Sequence, residues 1–256
     1  GIDFEGGTLI QFKFEEPTTA GEIRGMINNT ALGNAEIQKS GENEFMVRVK
    51  DMGVGNEIVE MIKADLSSKT FEVRRIEKVG PKIGKELRGK AYLAVVASLF
   101  LILLYISIRF EFRFAVGAVV ALFHDVLITL GIFSIFNWEI TMPVIAAFLT
   151  IVGYSLNDTI VVYDRIRENR HSIRNQALAE IINTSINQSL SRTVITSLTT
   201  FVVVLVLVIF GGEVLFGFSS AMLIGVVIGT YSSAFVAAPI LIWWNEKYPA
   251  PVVKKK

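Results

Sequence analysis

Hydrophobic and polar positions follow two different rhythms along the chain, and the change falls near residue 79. Over 7–79, strand-like and helix-like patterns take turns. In "GTLIQFKFE", Leu9, Gln11 and Lys13 alternate with Ile10, Phe12 and Phe14, the period of two that a half-buried strand requires. "TTAGEIRGMINN" opens on Thr18 and Thr19, with Glu22 three residues after Thr19. That is capping-box spacing at a helix start. "AEIQKSGENEFMVRVK" reads as a strand, a Ser-Gly-Glu-Asn turn and a second strand. "VGNEIVEMIKADLS" sets Ile58, Met61, Ile62 and Leu66 on one helical face. "TFEVRRIEKV" reads as a last strand.

The order βαββαβ predicts an α+β domain of the ferredoxin-like type over 1–78, long enough for one small core. "VGPKIGKELRGK" (79–90) reads as a linker, since its Gly and Pro end the strand and its basic residues mark a membrane boundary. Beyond it the rhythm becomes long apolar runs, at about 91–108, 114–136, 140–163, 193–211 and 214–243. Each suits the roughly 20 residues that a bilayer core demands. An all-α bundle of five membrane-spanning helices is expected over 91–245.

Composition and charge refine this picture. The chain is 52% hydrophobic with a mean hydropathy of +0.51, too apolar for one soluble domain. Thirteen of its 25 Lys and Arg, and 15 of its 24 Asp and Glu, precede Gly89. Arg109 and Arg113 mark one connection between spans. Arg165, Arg167, Arg170, Arg174 and Arg192 mark the segment 164–192, and the tail 246–256 is also basic. The alternate connections, "NWE" (137–139) and "GGE" (211–213), hold no Lys or Arg. The positive-inside rule then makes the basic set cytoplasmic and residues 1–88 extracytoplasmic. An external domain with no signal before it implies a further transmembrane helix preceding Gly1. Among Arg and Asn, the apolar residues Ile166, Ile173, Leu178, Ile181, Ile182 and Ile186 suggest that 164–192 is a helix lying at the cytoplasmic interface. A net charge of +1 leaves no nucleic-acid footprint. No Cys is present, which excludes disulfides and thiolate metal sites. Nucleotide-binding loops, metal quartets and nucleophile triads are absent. No cofactor and no enzymatic activity are expected, and work would draw on an ion gradient.

The candidate chemistry lies inside the apolar runs. A carboxylate near the centre of a membrane helix costs roughly 2.5–3.5 kcal/mol, and Asp158 stands within the third span in "GYSLNDTIVVYDR". The plain reading is a polar residue near the interface. Against it, Asp is short, and Thr150, Tyr154 and Asn157 accompany Asp158 at helical spacing. Arg192 is expected as its partner from the next helix, on a face shared by Gln188, Thr196 and Thr199 or Thr200; its plain reading is a cytoplasmic anchor. Asp125, in "FHDV" at mid-span, is either a bundle-interior hydrogen-bond partner or part of a proton path, with His124 a structural neighbour. Gly117, Ala118, Ala121, Gly217, Ser219, Ser220, Gly225 and Gly229 mark close helix packing, the last two glycines at GxxxG spacing.

"GIDFEGGT" (1–8), "VGP-IG-EL" (79–87), "FHDV" (123–126), "GYSLNDTIVVYDRIREN" (153–169) and "NQSLSRT--TS-TT" (187–200) together resemble the SecF family of the RND superfamily. The likeness covers nearly the whole chain. It implies six transmembrane helices, with an external ferredoxin-like domain between the first and second. It also implies SecD as partner in a heterodimer, the Sec translocon channel and an unfolded translocating polypeptide as further contacts, and membrane lipid around the bundle. Export would be driven by the proton-motive force, or by sodium in some members. The family's charged transport residues fall on Asp158 and Arg192, with Asp125 less firmly placed. Two other functions compete. A small-molecule or lipid exporter of the same superfamily usually carries a larger external domain and twice the helices. An intramembrane aspartyl protease built on Asp125 and Asp158 needs two carboxylates at one depth.

Overall fold

The computed structural model describes residues 1–27, 35–49, 55–173 and 176–248 (for 55–59, the backbone alone). Arg174, the side chain of Ile58 and the tail from 249 onward therefore lie outside the described positions. Contacts divide the chain into two units, Gly1–Tyr92 and Leu93–Lys256.

The first unit is a four-stranded antiparallel sheet with two helices. A single helical turn, α1 (Ile2–Glu5), leads into β1 (Gly7–Phe14), followed by α2 (Ala20–Ile27), β2 (Glu36–Gly41), β3 (Glu44–Val49), α3 (Gly55–Asp65) and β4 (Phe71–Val79). Strand order is β2-β3-β1-β4, the ferredoxin-like arrangement expected from the βαββαβ pattern. Thr19 caps α2 as its spacing predicts, its Oγ1 accepting from the Glu22 amide at 3.3 Å. The turn between β2 and β3 is closed by Asn43 at φ 57, a left-handed conformation that Asn tolerates better than most residues. Ile10, Phe12 and Phe14 point into a core with Ile23, Ile27, Phe45, Val47, Ile62 and Leu66. Met61, placed on the same face in the sequence, is instead 40% exposed.

β1 is more enclosed than its alternation suggested. Leu9 and Gln11, on the opposite face, are buried as well. β1 runs centrally, with Leu9 beside Arg48 and Glu77, and Gln11 beside Met46 and Arg75. Long neighbours on both sides shield that face.

The expected linker 79–90 is helix. Pro81 opens α4 (Pro81–Arg109), a position where its missing N–H costs nothing. The first turns of α4 rest on the chain's N-terminal corner. A Cβ on Gly84 would stand 3.0 Å from the Gly6 nitrogen, and one on Gly6 would stand 3.0 Å from the Pro81 Cα. Gly6 and Gly7 also adopt φ 79 and 127, which side-chain-bearing residues rarely accept. The motifs at 1–8 and 79–87 are thus two sides of one tight contact, closed by Arg88 Nη2 donating to the Phe4 carbonyl at 2.8 Å.

The second unit is the helical bundle. It comprises the rest of α4, α5 (Phe112–Ile135), α6 (Met142–Ser172), α7 (Leu178–Phe210) and α8 (Gly212–Ser232), then a π-helical turn (Ser233–Ala237) and α9 (Ala238–Lys247). Among the described residues, five helices are long and apolar enough to cross a membrane, the fifth running over Gly212–Lys247. The segment 164–192 is not a separate interfacial piece. α6 continues to Ser172 and α7 begins at Leu178, because Ile166, Asn169, Ile181 and Ile182 keep the helical spacing and are buried between the two helices. Arg109 pairs with Asp164 at 3.1 Å beside this extension.

α8 approaches α6 through the two glycines at GxxxG spacing. A Cβ on Gly225 would overlap the branch carbons of Ile151, and one on Gly229 would stand 3.0 Å from the Ser155 Cβ. The π-turn has a local cause. Pro239 has no N–H to donate, and a widened turn just before it is one way to accommodate the lost bond. The Ala237 carbonyl takes its hydrogen bond from Tyr163 Oη at 3.0 Å. Tyr163 reaches it over Gly117, where any side chain would collide with the phenol oxygen.

Candidate functional site

Two carboxylates are sealed inside the bundle, and the close α6–α8 contact builds the first of their sites. Asp125, on α5, is 1% exposed. One carboxylate oxygen accepts from Ser155 Oγ of α6 at 2.5 Å and from Ser232 Oγ of α8 at 2.8 Å. The other lies 2.9 Å from His124 Nδ1. Gly229 makes this convergence possible, since it brings the Ser155 backbone against α8 one turn from Ser232. Asp125 therefore ties three helices together. Of its two sequence readings, bundle-interior partner describes what it touches.

Asp158, on α6, is 5% exposed. It accepts from Thr193 Oγ1 of α7 at 2.8 Å and from Ser233 Oγ of the π-turn at 2.9 Å. Its ionised form is held by neutral hydroxyl donors, and among the described residues no Lys or Arg forms an ion pair with either carboxylate. A cavity of about 230 Å³ adjoins this point, lined by Val162, Ser189, Thr193, Thr230, Ser233 and Phe235 among others.

Arg192, the partner expected from the sequence, is exposed and is not the residue that touches Asp158. The reason is rotational. Successive residues on an α-helix are about 100° apart, and the buried face of α7 runs Ser185, Ser189, Thr193, Ser197. Gln188, Arg192, Thr196 and Thr199 occupy the neighbouring face, which is open. On α6, Asn157 is exposed, and Tyr154 is half-buried with its Oη at a long 3.5 Å from the Thr196 carbonyl. The predicted polar residues thus share one side of α6 and α7, next to the buried site and outside it. Gln188 anchors that side, its Oε1 accepting from Arg165 Nε at 2.7 Å and from Asn169 Nδ2 at 2.9 Å.

Sequence reasoning missed the four hydroxyls that contact the carboxylates: Ser155, Thr193, Ser232 and Ser233. Their small size matched the packing residues around them. The available signal was the adjacent pair Ser232–Ser233 within an apolar run, six residues before Pro239.

The motifs gathered here are those of a known family. The family model described as protein export membrane protein SecD/SecF, C-terminal, matches residues 58–247. The protein translocase subunit SecF of Desulfurispirillum indicum is 46% identical over 266 residues, covering 100% of this chain and 85% of that protein. The chain belongs to the SecF family. A second model, the SecD/SecF GG motif, matches residues 1–18, and in this SecF-family chain the two glycines are Gly6 and Gly7 at their tight corner. The SecF of Vibrio alginolyticus is 48% identical over 249 residues, covering 94% of this chain and 79% of its own length. The crystal structure of SecDF, a translocon-associated membrane protein from Thermus thermophilus, superposes with a TM-score of 0.87 at 41% identity. The match covers 96% of the SecF-family chain and 34% of that polypeptide, so the chain spans about a third of the solved protein. SecDF in a super-membrane-facing form superposes at 0.69 with the same identity and coverage.

Proposed function

We propose that this chain acts with SecD as an ion-driven auxiliary subunit of protein translocation, and that Asp158 is the group that takes up and releases the proton. The observation that carries the reading is the setting of Asp158: a carboxylate 5% exposed inside a membrane-spanning helix, held by two hydroxyls and, among the described residues, in ion-pair contact with no Lys or Arg. Such a residue is costly in a membrane and is kept for transport more often than for packing. Asp125, whose carboxylate already receives hydrogen bonds from two serines and sits against its own histidine, serves as the anchor.

Arg192 supplies the counter-charge. It adjoins Thr193 on α7, so a turn of that helix by about 100° exchanges a hydroxyl for a guanidinium beside Asp158. Tyr154, Asn157, Gln188 and Thr196 extend the polar surface over which ions and water reach the pair, and SecD supplies the facing wall. The basic connections support a cytoplasmic C-terminal side and an outer ferredoxin-like domain, which would meet the emerging unfolded polypeptide beside the translocon channel.

The test is Asp158→Asn in the full chain, co-assembled with SecD and reconstituted with the translocon in vesicles. SecD association is retained, while proton flux and gradient-dependent stimulation of export are lost. Repeating the assay with a sodium gradient alone identifies the coupling ion. Wild-type export by the variant would refute the proposal.

A further inference from the structure

Ser232 and Ser233 are consecutive, and each hydroxyl reaches a different buried carboxylate. Ser232 Oγ stands 2.8 Å from Asp125 and Ser233 Oγ 2.9 Å from Asp158. Both serines are fully buried. They occupy the place where α8 gives way to the π-turn, a distortion that is frequent at functional sites.

Each hydroxyl also has a second acceptor. Ser232 Oγ lies 3.2 Å from the Gly229 carbonyl, and Ser233 Oγ lies 3.0 Å from the Thr230 carbonyl. A serine hydroxyl carries one proton to donate and lone pairs to accept, so it serves one of these acceptors at a time. When the carboxylate is ionised, the hydroxyl donates to it. When the carboxyl is protonated, its own O–H donates to Oγ, and the serine proton swings to the carbonyl three residues back. No proton leaves its oxygen in this exchange; only the direction of donation reverses.

We propose that Ser232 and Ser233 are positioning residues that make the protonation states of Asp158 and Asp125 interdependent through the turn they share. The proposal rests on the proton-carrying role of Asp158 given above. When Ser233 turns its donor toward the Thr230 carbonyl, it forms a side-chain bond back onto the preceding turn, of the kind that bends a helix. That change is passed to the adjacent residue, Ser232, and so to its bond with Asp125. Protonation of Asp158 therefore alters the donor set of a carboxylate on another helix. The adjoining cavity lines Thr193, Thr230 and Ser233, and leaves room for the turn to adjust. The charged and titratable side chains on the elements packed around this turn include His124 and Asp125 of α5, Tyr154, Asp158 and Tyr163 of α6, Arg192 of α7, and Tyr231 of α8.

The experiment is an infrared titration of the purified SecD complex with isotope-labelled aspartate, the Asp158 and Asp125 carboxyl bands being assigned by their loss in Asp158→Asn and Asp125→Asn. Ser233→Ala removes a donor to the ionised form, so the Asp158 midpoint moves upward by about one pH unit, tenfold in the protonation equilibrium. Asp125→Asn shifts the Asp158 midpoint in the wild-type background and has no effect on it once Ser232→Ala is present. Ser233→Cys keeps the side chain's size with a weaker donor, and shifts the midpoint in the same direction as alanine if the alanine variant does not assemble. An unchanged midpoint in Ser233→Ala or Ser233→Cys overturns the proposal. So does a shift from Asp125→Asn that survives Ser232→Ala, since direct field coupling would then suffice. The readout needs neither proton flux nor export. A failure of the transport reading would therefore appear as lost flux coupling with the titration behaviour intact.

Discussion

The contact that holds the site together is tested by exchanging volume between α6 and α8. Gly225→Ala places a methyl against Ile151, a residue 1% exposed and β-branched, and the added carbon would overlap all three of its branch carbons. Ile151 has little rotamer freedom in a helix to move aside. Helix propensity favours alanine over glycine by about 0.8–1 kcal/mol, while overpacking costs about 1–3 kcal/mol. With three atoms in conflict the second effect wins, and the single variant loses about 1–2 kcal/mol. Ile151→Ala alone leaves a cavity and loses about 2–5 kcal/mol. In the double variant the new methyl occupies part of that space, so its loss is smaller than the two single losses taken together. A coupling of about 1–3 kcal/mol is expected. Unfolding of the purified SecD complex, followed for the wild type, both singles and the double, measures it. Losses that add to within about 0.5 kcal/mol would refute the close α6–α8 packing that aligns Ser155 and Ser232 on Asp125.

Two further outcomes follow from groups in each unit. Asp125→Asn keeps one oxygen for Ser155 and Ser232 and turns its amide toward His124 Nδ1, which accepts in one neutral tautomer. It is expected to unfold near the wild-type temperature, whereas Asp125→Ala strands the buried Ser155 hydroxyl and loses about 1–3 kcal/mol; equal stability of the two would refute the anchoring role. In the ferredoxin-like domain, the hydrogen bond from Lys69 to Glu22 at 2.5 Å, together with its positive charge, holds the Glu22 carboxyl below its ordinary value of 4.5. A depressed carboxyl stabilises the fold above its unfolded value and loses that effect as pH falls through its folded one. Lys69→Ala is therefore slightly destabilising at pH 7 by chemical denaturation, and the part due to Glu22 fades as pH falls through that group's folded value, leaving the bond to Thr18; a loss that does not change with pH would contradict the pairing.

The sheet and the spans were legible in the sequence because each obeys one period. Ile10, Phe12 and Phe14 alternate, and the apolar runs match a bilayer's thickness. Capping at Thr19 and the close approach at Gly225 and Gly229 were equally readable, since each depends on neighbours within one helical turn. What escaped was rotation. Gln188, Arg192 and Thr196 look like a functional face by polarity, yet the buried face of α7 carries Ser189, Thr193 and Ser197, one position on. In a membrane helix both faces are otherwise apolar, so hydropathy does not say which polar stripe turns inward. The strand end before Pro81 and the helical character of 164–192 were legible as well. What the charges hid was continuity, since Pro81 begins the helix that becomes the first span, and α6 and α7 run on through 164–192 without a separate helix there.

The second acceptor behind each serine bears on speed. A hydroxyl rotor reorients in picoseconds to nanoseconds, whereas a membrane helix that rotates or slides takes microseconds or longer. Ser233 can thus change donors many times before α7 moves at all. A proton's arrival at Asp158 would be registered locally long before the bundle responds, and erased as quickly if the proton leaves. On the proposed reading, only protons that stay for as long as a helix takes to move would be converted into motion, so the slower bundle, and not the hydrogen-bond network, would set the minimum residence time.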